Sequence, residues 1–253
     1  MKRLLALLIC LGAALAAPAI AQTPCPCAEK KEPPPPPDFT GGVGFGLGIN
    51  SGNTNTTNLS FTLGLKYDPK TNNVVKLNGY YLYGQSDSVT TTQKSNFVLR
   101  DEYSFSERFF AFGEVGYLYD RFKGITYLIT PIVGAGYKVV KTKEVTLALD
   151  GGVGLAIEQD AGYPSHTSGA LRAGEAFEWQ ISTWAKLTQN AYGLWKMDDF
   201  SDYFFHFDVG LVSPLSKALE LKVAYLTDYK NKPQPDTLKK TDRSLIAAIG
   251  YKF

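Results

Sequence analysis

The chain has 253 residues, with 26 Lys and Arg against 24 Asp and Glu, 13% aromatic residues and 24 Gly. It is too apolar and aromatic for a disordered polymer, and the scarcity of Met and of Glu/Lys-rich blocks turns the composition toward strands and turns. Past the first two dozen positions no apolar run reaches the ~18 residues a helix needs to cross lipid, which excludes a polytopic helical membrane protein.

Lys2 and Arg3 precede an apolar run from Leu4 to Ala17, and Ala19-Ile20-Ala21 supplies the small residues that signal peptidase reads. Residues 1–21 are therefore expected to be a signal peptide, with Gln22 opening an exported mature chain. Its removal takes two positive charges and no negative one, leaving 24 of each sign. A nucleic-acid partner is thereby excluded, because phosphate neutralisation needs a surplus of Lys and Arg. Pro24 and Pro26 stand before Cys25 and Cys27, where a lipoprotein signal would need small residues. The two thiols are too close for an unstrained disulfide and too few for a tetrahedral metal site, so no cofactor is expected. Five consecutive prolines end at Pro37; residues 22–38 read as a stiff periplasmic linker, suited to an envelope partner.

From residue 39 onward apolar residues recur at every second position, the period of a two-faced strand. Thr40 to Asn50 is Gly-rich. Leu59 to Tyr67 and Val75 to Tyr83 alternate, followed by Phe97 to Phe105, Phe109 to Tyr119, Tyr127 to Tyr137 and Val145 to Glu158. Leu171 to Ile181, a weaker Thr183 to Trp195, Tyr203 to Leu211, Leu219 to Tyr229 and Leu245 to Phe253 bring the count to twelve. Such lengths suit tilted membrane spans of ~9–11 residues. The connectors alternate too. Asp68 to Lys70, Ser104 to Glu107, Val140 to Lys143, Ser182-Thr183 and Pro214 to Lys217 are short. Gln85 to Gln93, Arg121 to Gly124, Asp160 to Ser168, Met197 to Asp202 and Asn231 to Thr241 are mostly longer, and Asn50 to Asn53 is tight.

This pattern predicts an all-β fold: an antiparallel transmembrane β-barrel of about twelve strands over residues 39–253, in the outer membrane with both termini in the periplasm. Phe105, Phe109, Tyr119, Tyr137, Tyr203 and Tyr229 fall near strand ends, as interfacial girdles do, which counts against a secreted sandwich. Leu245, Ala247, Ile249, Tyr251 and the terminal Phe253 form a candidate C-terminal signal for the outer-membrane assembly machinery. The expected partners are that machinery, outer-membrane lipids and lipopolysaccharide.

Strand parity places charges on the inner face. The candidate lumen cations are Lys66, Lys76, Arg100, Lys138, Arg172 and Lys222, with Lys186, Lys230 and Lys252 on the same parity. The anions are Glu102, Glu114, Asp120, Asp150, Glu178, Asp208 and Glu220, joined by Glu158 and Asp228. Equal numbers of each sign fit either an ion-paired interior or a narrow pore of weak charge selectivity. Asp101 and Glu175 fall on the lipid-facing parity, through a bulge or an incorrect register.

Two imidazoles are present. His166 and Ser168 share a strand face, but Glu178 lies too far along the strand to orient the imidazole, and neither Glu158 nor Asp160 is singled out, so no enzyme is expected. His206 and Asp208 read as a hydrogen-bonded pair in the lumen. Gly42, Gly44, Gly46 and Gly48 read as a strand face without side chains; no Lys-Ser/Thr follows to make a phosphate loop.

With the strands mapped, several segments resemble the salt-induced outer membrane proteins, also called domain of unknown function 481. They are Ser51 to Thr57, Ser106 to Gly113, Tyr119 to Phe122, Ala135 to Lys138, and Lys240 to Asp242 with Gly250 to Phe253. The resemblance spans about Gly41 to Phe253. It implies an outer-membrane barrel of about a dozen strands and brings no established activity or catalytic residues; the reading of the chain is a structural or passive-permeability component, to which the resemblance adds a link to osmotic or salt stress. A narrow substrate-selective channel is the alternative, and an outer-membrane hydrolase using His166 and Ser168 the less favoured one.

Overall fold

A computed structural model describes residues 38–253 apart from 54 and 88. The signal-peptide and linker expectations, with Cys25 and Cys27, lie outside the described residues. Twelve strands run in chain order: β1 Phe39–Ser51, β2 Thr56–Tyr67, β3 Asn73–Ser86, β4 Val89–Ser104, β5 Phe109–Asp120, β6 Ile125–Lys141, β7 Val145–Asp160, β8 His166–Ser182, β9 Ala185–Lys196, β10 Tyr203–Pro214, β11 Leu219–Lys230 and β12 Thr241–Lys252. Each pairs antiparallel with its sequence neighbours, and β12 closes on β1, so no edge is left unpaired. One short 3-10 turn, Arg121–Lys123, follows β5; Asp120 caps it by accepting from the backbone N–H groups of Phe122 and Lys123.

The alternation of the sequence becomes the two faces of the wall. On β1 and β12, Phe45, Leu47, Ile49, Leu245 and Ile249 point outward and are 44–67% exposed. Such surface continues around the barrel through Leu59, Val133, Val153 and Val223. A continuous apolar belt of this kind is unsuited to water and matches hydrocarbon. Aromatic pairs ring the end that carries both Phe39 and Phe253, hereafter the proximal end: Phe39 with Phe253, Tyr103 with Phe105, and Phe109 with Tyr137, centroids 4.6–6.0 Å apart. Tyr203 and Tyr229 stack at the opposite, distal end.

The inner face of β1 has no side chain from Gly42 to Gly48. At Gly46 a Cβ would collide with the Ala247 carbonyl of β12, so the seam of the barrel needs glycine there. Two apolar clusters lie inside the wall. Phe110, Phe112, Leu118, Ile125, Leu128, Ile132, Leu194 and Phe204 form one. Leu82 reaches Ala224, Leu226, Ile246 and Ala248 to form the other.

Two expectations change. The loop drawn over Gln85 to Gln93 is mostly strand, since β3 and β4 extend to Ser86 and Val89 with one register shift between Gly84 and Gln85. Its Ser, Thr and Gln residues read as a loop because a barrel's inner face needs no apolar residue to continue its ladder. Asp101 and Glu175 do face outward, with no bulge beside either. Glu175 there accepts a hydrogen bond from Gln189 Nε2 at 2.9 Å.

Candidate functional site

Cross-lumen contacts join strands that are not neighbours in the wall, so the side chains making them must project into the barrel. In the distal half these contacts fill it. Lys94 on β4 reaches Asp228 on β11 at 2.5 Å and Asp120 on β5 at 3.1 Å. His206 on β10 contacts the same Asp228 through Nδ1 at 2.6 Å and Asp208 through Nε2 at 3.2 Å. Lys230 donates to Asp160 at 2.8 Å, and Lys196 pairs with Glu158 and with Asp202. Lys94, Asp120, Asp228, Lys230 and His206 are each at most 7% exposed. Charges taken this far from water need such partners.

Above this layer the distal loops fasten to one another. Lys123 is 1% exposed, its Nζ lying 3.0 Å from Asp242 and donating to the Asp228 carbonyl at 2.9 Å. Burial lowers the pKa of this lysine, and Asp242 opposes that effect. Asn53 donates to Asp242 and to the Lys239 carbonyl, and accepts from the Lys239 backbone at 2.7 Å. Asn231 donates to the Ser201 carbonyl, while Lys232 pairs with Asp199. Hydrogen bonds from Lys232 and Ser201 pull the Asp199 carboxyl down to about 2. Residues 52–53 and loops 121–124, 197–202 and 231–240 thus make one lid.

At mid-height two guanidinium groups bind four strands together, β4, β5, β7 and β8. Arg100 donates to Glu102, Glu114 and Asp150 at 2.8–2.9 Å. Arg172 sits 3.1 Å from Glu114 and pairs with Asp150. Arg100 also lies 3.7 Å over the Phe112 ring. A small cavity here, of about 20 Å³, is bounded by Asn96, Glu114, Thr130, Arg172, Tyr192 and Phe204; that is room for one or two waters.

Below this level the interior opens. Asn78 and Asn190 face inward and are exposed, and Asn190 donates to Asp208 at 3.2 Å. Lys76 pairs with Glu102 at 2.8 Å, and Lys186 with Glu178 at 2.7 Å, with lysine side chains 36% and 39% exposed. Lys66, Lys138, Glu220 and Lys222 line the same proximal space.

Of the charges picked out by parity, the fold therefore gathers Arg100, Glu102, Glu114, Asp150 and Arg172 into one network. It sends Asp120 to the distal plug and leaves Lys66, Lys76, Lys138, Glu178, Asp208, Glu220 and Lys222 around the open half. Lys94, Lys123, Lys196, Asp160 and Asp242 were missed. Lys94 shares parity with Asn96, Val98 and Arg100, a signal obscured by the loop drawn up to Gln93. Leu245, Ala247, Ile249, Tyr251 and Phe253 all face outward on the final strand.

His166 finds a carboxylate, but not one of the two considered. Its Nε2 is 2.6 Å from Asp198 in the distal loop, while Glu158 and Asp160 are taken by lysines. Among the described residues the buried Ser168 hydroxyl has no hydrogen-bond partner, so it is not joined to this imidazole.

A closed antiparallel wall, apolar outside and filled with charged and polar side chains within, defines a porin-like transmembrane barrel. The NanC porin superposes with a TM-score of 0.57 at 10% identity, covering 83% of this chain and 100% of that one. The KdgM porin in complex with disordered oligogalacturonate gives 0.48 at 11% identity over 84% and 99%. Outer membrane phospholipase A from Escherichia coli gives 0.44 at 12% over 85% and 90%. No curated protein matches by sequence. The chain belongs to the family described as protein of unknown function, DUF481, whose model matches residues 43–253.

Proposed function

We propose that the protein is an integral outer-membrane barrel that acts without catalysis, as a structural and permeability component whose distal end is sealed at rest. The observation that carries this is the buried distal layer, in which Lys94, Asp120, His206 and Asp228 satisfy one another and Lys230 pairs with Asp160 across the lumen. In this reading both termini are periplasmic, the distal lid faces the cell surface, and the belt of exposed Leu, Ile, Val and Phe contacts lipid, with lipopolysaccharide outside. The outward face of Leu245 to Phe253 is the segment offered to the assembly machinery, and residues 22–38 are the segment offered to an envelope partner. The link to osmotic or salt stress rests on the family resemblance and is tested by growth of a deletion strain at high osmolarity. A second reading, a narrow selective channel, is favoured by the open proximal half.

Conductance of the full mature chain in planar bilayers separates the two. A sealed barrel gives no steady current although heat-modifiable migration shows it folded. Steady current in symmetric salt would refute the seal and support the channel.

A further inference from the structure

Even numbers of positive and negative side chains conceal their distribution along the barrel axis. In the open proximal half six lysines face inward: Lys66, Lys76, Lys138, Lys186, Lys222 and Lys252. Five carboxylates share that space, Asp68, Glu102, Glu178, Asp208 and Glu220, while Arg100 and Arg172 are offset by Glu114 and Asp150. Lys66, Lys76 and Lys186 are paired, with Asp68, Glu102 and Glu178 respectively. Lys138, Lys222 and Lys252 have no ion-pair partner among the described residues, and Lys138 lies 5.7 Å from the Phe110 ring centroid.

We infer that this proximal vestibule is a binding site for a small polyanion, a molecule carrying two or more carboxylate or phosphate groups, entering from the side of the chain termini. This deepens the proposed sealed barrel and rests on that reading. Three points carry it. The excess of ammonium groups stands inside a low-dielectric wall, which focuses potential on the space they share. Lys252 pairs beside Gly42, and Lys66 beside Thr40 on the other flank of β1. Strands ~4.8 Å apart place these two rows about 10 Å from each other, with Thr40 of β1 and the Glu220 carboxylate beside Gly42 as the side chains between them. Finally, the distal end is shut, so an anion that enters has one exit and is held rather than passed. A single negative charge would meet one hydrated lysine at a time, worth roughly 1 kcal/mol or less; several charges on one molecule engage several lysines together.

The test is isothermal titration calorimetry of inorganic tripolyphosphate into the full mature chain in zwitterionic detergent at low salt. Saturable binding at one site is expected, weakening as salt is added. Lys222→Glu with Lys252→Glu should lower affinity by about tenfold or more, a loss of 1.4 kcal/mol per decade. Arg121→Glu with Lys240→Glu, an equal charge change at exposed lid positions that hold none of the ties described above, should leave it unchanged. Lys222→Gln with Lys252→Gln keeps the test valid if charge reversal impairs folding, and is expected to weaken binding to a smaller extent. Absence of heat from the wild-type chain, wild-type affinity in the vestibule variants, or an equal loss in the lid variant would each overturn the inference. Because binding is read without current, a conducting barrel would refute the sealed reading separately.

Discussion

Asp228→Asn is the perturbation that most directly probes the distal plug. Asp228 stands between two hydrogen-bonding partners, Lys94 Nζ at 2.5 Å and His206 Nδ1 at 2.6 Å. Its side chain is 3% exposed and that of Lys94 6%. The asparagine keeps the shape but removes the charge, leaving Lys94 with Asp120 alone at 3.1 Å. Breaking a buried pair while one charge stays behind costs about 3–5 kcal/mol, against under about 1 kcal/mol for a control that breaks the half-exposed Lys186 to Glu178 pair with Glu178→Gln. The assay is reversible urea unfolding from lipid vesicles, followed by tryptophan emission, with conductance measured on the same preparations. Adding Lys94→Met and Asp120→Asn to Asp228→Asn removes the ammonium together with its second carboxylate and should restore more than half of the loss, because replacing all the charges of a buried network is close to neutral. A loss below about 1 kcal/mol for Asp228→Asn, within the range of an exposed pair, together with unchanged conductance would refute the plug as the element that orders and closes the distal half.

Three further outcomes follow from the same geometry. Leu82, fully buried against Ala224, Leu226, Ile246 and Ala248, should lose about 2–5 kcal/mol on Leu82→Ala; a loss under 1 in the urea assay would mean that β3 does not brace β11 and β12. On the outer face, Val133→Arg is expected to cost ~2–4 kcal/mol if its site lies near the bilayer midplane, and refolding into vesicles at wild-type stability would contradict a lipid-facing belt. The Asp199 carboxyl is pulled down to about 2 from 3.8, so its tie to Lys232 should be fully present above about pH 4 and be lost as pH falls through about 2. Asp199→Asn should abolish that tie at neutral pH, read as faster hydrogen exchange across 197–202 and 231–240; unchanged exchange would exclude the pair from holding the lid.

The wall was legible because its signal is local. Leu59, Phe61, Leu63 and Leu65 announce β2 through a period of two, and the same rule found even β9, where Lys186, Thr188 and Asn190 dilute the pattern. It failed over Gln85 to Gln93, where both faces are polar and only backbone pairing shows that the strand continues. Parity also indicated that Arg100, Glu114, Asp150 and Arg172 share the inner side. It could not indicate partners. Lys94 meets Asp228 across 134 positions of chain, and which inward charge reaches which depends on strand tilt and side-chain length rather than on any spacing in the sequence. An equal tally of signs likewise concealed that unpaired lysines gather at one end and buried acid–base pairs at the other.

The lid has a consequence for the order of events in biogenesis. Asn53 follows the first strand, while Lys239 and Asp242 flank the start of the last, 186 and 189 positions later. Their hydrogen bonds exist only after the final hairpin has zipped against the first strand. A nascent or truncated wall therefore lacks these ties by construction, and under the proposed sealed barrel the closing of the lid would record completed assembly without any separate inspector.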